Sequence, residues 1–259
     1  MLDVSSAIEL RDVGHVFGSG RHQTRALDGV SISVTPGEFV SILGPSGCGK
    51  STILRLVSGL IEPTSGSVRV HGRSPQQERL AKAFGLTPQQ PSLLPWRTVR
   101  QNARLLTDVN VQPGRTGTDV IDSLLAEVGL ADFADAYPHE LSGGMQQRVA
   151  LARAFALRAR VLLLDEPFAA LDELTRADMR HLLLDLWTRH QSTALFVTHS
   201  VAEAVLLSDR VIVLSGRPGH IVGVECIDFP RPRRAELEDT DEFDHVVRHL
   251  RAMLRASTP

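Results

Sequence analysis

The feature that most constrains this chain is the run Gly44-Pro45-Ser46-Gly47-Cys48-Gly49-Lys50-Ser51-Thr52. It follows the apolar segment Phe39-Val40-Ser41-Ile42-Leu43 and precedes Ile53-Leu54-Arg55-Leu56-Val57. The pattern G-x-x-x-x-G-K-[ST] between a buried strand and a helix reads as a phosphate-binding loop. Glycines let the backbone turn tightly enough for successive N–H groups to face phosphate oxygens. The helix behind the loop adds its positive end to the same place. Lys50 then supplies a mobile charge for the terminal phosphates, and Ser51 a hydroxyl for Mg²⁺. A loop with a strand before it and a helix after it sets the class as α/β.

Three zones extend that reading. Residues 8–17 and 27–34 alternate apolar and polar side chains, as half-buried antiparallel strands do, and Thr35-Pro36-Gly37 is a turn into the strand before the loop. A helical zone over about 91–137 is interrupted by Gln112-Pro113-Gly114-Arg115-Thr116-Gly117. Within it Val120, Ile121, Leu124, Leu125 and Val128 make one helix face. In the third zone Val161-Leu162-Leu163-Leu164 and Ala194-Leu195-Phe196-Val197 read as strands buried on both faces, hence a parallel sheet covered by helices. The tail Phe229-Pro230-Arg231-Pro232-Arg233-Arg234 predicts solvated arginines. It leads to an amphipathic packing helix with Phe243, Val246, Val247, Leu250 and Leu254 on its apolar face.

With 259 residues, of which 42% are apolar, the chain has room for a substantial core. A formal net charge of −2 gives no reason to expect a nucleic-acid partner. No apolar stretch approaches the roughly 20 residues that span a bilayer. The start Met1-Leu2-Asp3-Val4-Ser5-Ser6 lacks the pattern of a signal peptide. Cys48 and Cys226 have no metal-like spacing, which fits a reduced compartment.

Chemistry needs carboxylates beside the phosphate loop. The strand over 161–164 ends in Asp165-Glu166, and adjacent strand residues face opposite ways. Asp165 is therefore expected at the Mg²⁺ and Glu166 at the attacking water. Leu141-Ser142-Gly143-Gly144-Met145-Gln146-Gln147-Arg148 opens a helix whose first N–H groups are free, a second anion site. His199 follows an apolar strand, at the carboxyl edge where ligands bind in open α/β sheets. Ser200-Val201-Ala202-Glu203 after it reads as a capping box.

The string from Leu141 to Gln147 resembles the signature motif of ATP-binding cassette (ABC) ATPases. Gly44 to Thr52 and Val161 to Glu166 resemble their Walker A and Walker B motifs. The resemblance implies a P-loop NTPase core, an antiparallel β subdomain and an inserted helical subdomain. It covers an ATPase domain over 8–229, with the helical part at about 91–157 and a C-terminal segment over 230–259. It also implies that Phe17 stacks on adenine and that Gln89, with Gln90 adjacent, contacts Mg²⁺ and the water. His199 corresponds to the γ-phosphate switch histidine, and Ala169-Ala170-Leu171-Asp172 to the loop that crosses between paired domains. Ser142, Gly143 and Gly144 would meet the nucleotide held by a second copy in a head-to-tail dimer.

Three further strings narrow the resemblance to the nitrate/sulfonate/taurine importer ATPases. They are Leu93-Leu94-Pro95-Trp96-Arg97-Thr98-Val99, Leu214-Ser215-Gly216-Arg217-Pro218-Gly219-His220-Ile221 and Asp228-Phe229-Pro230-Arg231-Pro232-Arg233. That subgroup implies MgATP hydrolysis at the cytoplasmic face of a membrane, coupled to two transmembrane permease subunits. A periplasmic or lipoprotein solute-binding protein would deliver the cargo. The stretch over 89–97 is the expected permease contact. A non-transport ABC ATPase, for instance in iron–sulfur cluster assembly, is the alternative.

Overall fold

The computed structural model describes residues 6–18, 22–109 and 118–256. The interruption over 112–117 and the first residues 1–5 lie outside them. Residues up to 84 together with those from 193 onward make one compact unit, and 85–192 make the other.

In the first unit β1 (Ile8–Phe17) and β2 (Thr24–Val34) pair antiparallel, Ile8 opposite Val34 and Phe17 opposite Thr24. At the following turn Glu38 N–H donates to the Thr35 carbonyl at 3.2 Å. β3 (Phe39–Leu43) is buried at every position, Ser41 included, as a largely apolar strand in a covered sheet must be. The phosphate loop then passes into α1 (Lys50–Val57). A short strand that periodicity does not reveal, β4 (Ser65–Val70), pairs with the other edge of β1 and completes a three-stranded antiparallel sheet. α2 (Pro75–Leu80) begins at a full capping box between Ser74 and Gln77, and β5 (Phe84–Thr87) follows.

The second unit is mostly helical. α3 (Val99–Asp108) starts at a capping box between Thr98 and Gln101. α4 (Thr118–Glu127) buries Ile121, Leu124 and Leu125, with Val128 just beyond it, along the face expected from the sequence. α5 (Gly143–Ala156) follows, then β6 (Val161–Asp165) beside β5, then α6 (Glu173–His190), whose N-cap Asp172 accepts from Thr175 N–H at 3.0 Å.

Returning to the first unit, β7 (Thr193–Thr198) runs parallel to β3 with Thr198 opposite Leu43. After α7 (Val201–Leu207), β8 (Arg210–Leu214) lies parallel to the other edge of β3. β9 (Ile221–Cys226) closes antiparallel against β8. The expected α/β class, with parallel strands, an antiparallel β sheet and a helical insertion, is what the chain adopts. α8 (Asp241–Ala256) buries Phe243, Val247 and Leu250 against Val205, Leu206 and Ile227.

Of the tail arginines Arg234 is exposed as expected, but Arg231 is half-buried and Arg233 buried. Arg231 donates to Asp209 Oδ1 at 2.7 Å and to the Leu207 carbonyl at 2.7 Å. Arg233, only 4% exposed, donates to the carbonyls of Val205, Leu206, Ser208 and Ile227 at 2.7–3.1 Å. The last carbonyls of a helix have no intrahelical partner, and these guanidinium groups satisfy the end of α7. Burial, with Arg231 nearby, pushes the Arg233 pKa down to about 10.

Candidate active site

In the first unit the sequence dictates a tight loop, and the geometry shows how tight. Gly49 is the N-cap of α1 at φ +107°, a left-handed conformation that favours glycine. A Cβ there would lie 2.6 Å from Leu27 Cδ2 and 2.8 Å from the Ala26 carbonyl. A Cβ on Gly44 would lie 2.8 Å from Cys48 Sγ, so the buried Cys48 fills the space under the loop. Lys50 is 4% exposed, and its Nζ donates to the carbonyls of Gly44 at 2.9 Å and Pro45 at 3.0 Å. An ammonium held by two neutral carbonyls exchanges them readily for phosphate oxygens, which carry charge. Ser51 and Thr52 stand in the first turn of α1 behind it.

Phe17, 37% exposed, ends β1 with its ring backed edge-on by His15, centroids 4.5 Å apart and planes at 78°. The motifs do not point to His15. Its only sequence signal is its position two residues before Phe17, on the same face of the strand. His199 leaves β7 exposed, directly after Thr198 and therefore beside the end of β3 where the phosphate loop begins. The capping box after it forms only by half. Ser200 Oγ accepts from Glu203 N–H at 3.4 Å, but Ser200 N–H goes to Thr198 Oγ1 at 2.9 Å, and Thr198 also bonds the Glu203 carboxyl. Thr198, a strand residue outside the motif, captures both groups and ties the start of α7 to the end of β7.

The second unit carries the other expected residues. Ser142 is the N-cap of α5, its Oγ accepting from Met145 N–H at 3.3 Å, which leaves the hydroxyl proton able to donate elsewhere. Ser142 and Gly143 are exposed at this helix start, and a Cβ on Gly143 would meet nothing within 4 Å. Gly144 differs: a Cβ there would lie 2.6 Å from Thr175 Cγ2, so α6 itself requires a small residue. Gln89 and Gln90 are both exposed just beyond β5.

Asp165 is the last residue of β6, but Glu166 lies outside the strand, in a left-handed conformation at φ +43°. The two carboxylates are therefore set apart by the left-handed backbone at Glu166 and not by strand alternation. A non-glycine residue held at positive φ costs about 1 kcal/mol or more. In the following turn Ala169 N–H donates to the Glu166 carbonyl at 3.1 Å. Arg176 donates to the Leu171 carbonyl at 2.6 Å, fixing the segment over 169–172 ahead of α6. Accepting Thr175 N–H holds the Asp172 carboxyl below its ordinary pKa.

Comparison with known proteins places this geometry. Residues 27–169 match the family model described as ABC transporter. The chain is 43% identical over 254 residues to an aliphatic sulfonates import ATP-binding protein, SsuB 1, of Xanthomonas axonopodis pv. citri, covering 98% of this chain and 96% of that one. It is 44% identical over 257 residues to the nitrate import ATP-binding protein NrtD of Synechocystis sp., covering 96% and 95%. Among solved structures it resembles the ATP-binding cassette MJ0796, a post-hydrolysis dimer bound to ADP and Pi. The TM-score is 0.75 at 32% identity, over 86% of this chain and 100% of that one. Coverage and identity of this extent leave one conclusion: the chain belongs to the ABC transporter family, as an ATP-binding, ATP-hydrolysing subunit.

Proposed function

We propose that this chain drives import of a small solute such as nitrate, a sulfonate or taurine. It works as a head-to-tail pair at the cytoplasmic face of a membrane, beneath two permease subunits supplied by a solute-binding protein. The observation that carries the nucleotide part is Lys50, folded onto the Gly44 and Pro45 carbonyls in a loop where a Cβ on Gly44 or Gly49 would lie 2.8 Å or less from a neighbouring atom. The relatives named above favour import over the cluster-assembly alternative. No described helix is long and apolar enough to cross a membrane.

In this reading the loop over 44–52 binds the phosphates and Phe17 carries adenine. Ser51 and Asp165 are hard oxygen donors, of the kind Mg²⁺ takes together with phosphate oxygens, and Gln89 completes the proposed set. Bound Mg²⁺ neutralises charge on the phosphate oxygens. The Glu166 carboxylate accepts a proton from water as the water oxygen bonds to the γ-phosphorus and the bond to the bridging oxygen of ADP breaks. His199 donates to the γ-phosphate. The open space around Gly143 supports pairing, because no described residue comes within 4 Å of a Cβ placed there. A second copy's nucleotide, arriving at the free N–H groups of α5 and the Ser142 hydroxyl, would fill it.

Glu166→Gln tests the chemistry. Steady-state ATP turnover should fall by about 10²–10⁴ while ATP affinity is kept. Turnover near that of the unaltered protein removes Glu166 from this role. Vesicles reconstituted with the subunit and its permease, given nitrate, an alkanesulfonate or taurine, test the import. Uptake of none of them with ATP present sinks the solute class.

A further inference from the structure

The string Ser215-Gly216-Arg217-Pro218-Gly219-His220 marks the subgroup, yet the hydrolytic scheme gives it nothing to do. It forms the connection from β8 to β9, and that connection lies along the phosphate loop. Ser215 N–H donates to the His220 carbonyl at 2.9 Å, and Ser215 Oγ accepts from His220 N–H at 3.0 Å, which closes the connection on itself. Gly219 N–H donates to the Ala26 carbonyl at 2.9 Å, and Asp28 N–H donates back to Gly219 at 3.0 Å. A Cβ on Gly219 would lie 2.1 Å from the Cys48 carbonyl oxygen, so any other residue there would displace the phosphate loop.

Arg217 reaches across this contact. Its Nε donates to the Gly47 carbonyl at 3.1 Å, and its guanidinium covers Gly47, where a Cβ would lie 3.1 Å from Nη2. The peptide between Gly47 and Cys48 is planar and trans, so its N–H points away from its carbonyl. With the carbonyl drawn outward by Arg217, Cys48 N–H faces the loop interior. There it makes a long contact of 3.4 Å to the Pro45 carbonyl, the same oxygen that Lys50 holds. Both donors rest on an acceptor that a phosphate oxygen replaces. A fixed positive charge on the carbonyl also polarises the peptide and strengthens its N–H as a donor.

We propose that Arg217 is a positioning residue for nucleotide binding: from outside the phosphate loop it orients the Gly47–Cys48 peptide so that Cys48 N–H faces the phosphates. The inference rests on the ATP reading and assigns Arg217 no contact with the nucleotide. Because Arg217 is exposed, replacing it leaves the core untouched.

The test is titration of ATP, ADP and inorganic tripolyphosphate into the unaltered chain, Arg217→Ala and Arg217→Lys, with melting temperatures taken without nucleotide. Arg217→Ala should weaken all three ligands by about three- to tenfold, the range of a single ordinary hydrogen bond. KM should rise with kcat within about twofold, the mark of uniform binding. Arg217→Lys should recover most of the affinity, and the ligand-free melting temperature should stay in place. Equal affinities for the unaltered and Ala forms overturn the proposal, as does a loss confined to ATP and ADP with tripolyphosphate spared. A fall in kcat at constant KM overturns it too. If the unaltered chain binds no ATP, the ATPase reading falls with it, which separates the two failures.

Discussion

Arg153 Nη2 on α5 donates to the Pro91 carbonyl oxygen at 2.6 Å. Nη1 of the same guanidinium donates to the Ser92 carbonyl at 3.0 Å, so the helix that begins at Ser142 grips the segment just after Gln89 and Gln90. Arg153 is 6% exposed, and burial holds its pKa below the ordinary arginine value. From α3, the buried Asn102 holds the next stretch, accepting Leu94 N–H at 2.8 Å and donating to the Leu94, Arg97 and Thr98 carbonyls at 2.9–3.1 Å.

Removing Arg153 should therefore loosen one short segment. Arg153→Ala leaves two carbonyls without their partner and should cost about 2 kcal/mol in stability. Hydrogen exchange should quicken at residues 92–94 while α4 stays protected. An Arg153→Ala protein with unchanged denaturant midpoint and unchanged exchange would show that the grip holds nothing in place.

Ser142→Arg should block pairing without touching the phosphate loop. The side chain would fill the open space at the start of α5, around Ser142 and Gly143, where a second copy's nucleotide is proposed to dock. In a Glu166→Gln background, gel filtration with ATP should give a dimer for the single variant and a monomer for the double variant, both binding ATP. A double variant that still dimerises rules out the head-to-tail arrangement.

A third expectation concerns acid. His190 ends α6 against Phe155, ring centroids 5.3 Å apart. Burial pushes its pKa below the ordinary imidazole value; Glu127 works against that shift, and Arg158 and Arg189 with it. The folded protein thus prefers the neutral ring, and the unfolded chain takes up the proton first, near pH 6.5. Stability from this group is complete above that pH and is lost as pH falls through the lower folded value. His190→Phe keeps an aromatic ring there but cannot titrate. Its denaturant midpoint should decline less than that of the unaltered protein between about pH 7 and 5. Parallel declines would show that His190 takes no part in acid sensitivity.

Local patterns carried most of the fold. The apolar strands at Phe39 and Val161, the alternating pair at Ile8 and Leu27, and the α4 face through Leu124 and Leu125 each announce their own burial. What could not be read depends on partners far along the chain. Arg233 looks like a surface charge until the carbonyls ending α7 come within its reach, 25–28 residues away. The capping box at Ser200 loses half its bonds to Thr198, which the motif does not include. Glu166 reads as a strand residue because backbone handedness leaves no trace in polarity. Arg217 was visible only as part of a string, since its partner Gly47 lies 170 residues earlier.

The remaining prediction concerns Trp96. The sequence allows two readings for the Leu93-Leu94-Pro95-Trp96 stretch, a cap on the helical zone's core or a permease contact. Trp96 is 70% exposed, with Pro95 exposed beside it and Leu93 and Leu94 half-buried beneath. An indole this open gives its own fold little, and a large exposed aromatic is a frequent anchor at interfaces. Asn102 and Arg153 hold the backbone on either side of it, so it is presented from a fixed platform. Trp96→Glu should therefore leave the melting temperature within about 1 °C and basal ATP turnover within about twofold, since surface changes usually move stability by less than about 0.5 kcal/mol. The same variant should fail to co-purify with its proposed permease subunits. Retained co-purification would move the docking surface elsewhere, and a melting temperature several degrees lower would return Trp96 to the core of the helical unit.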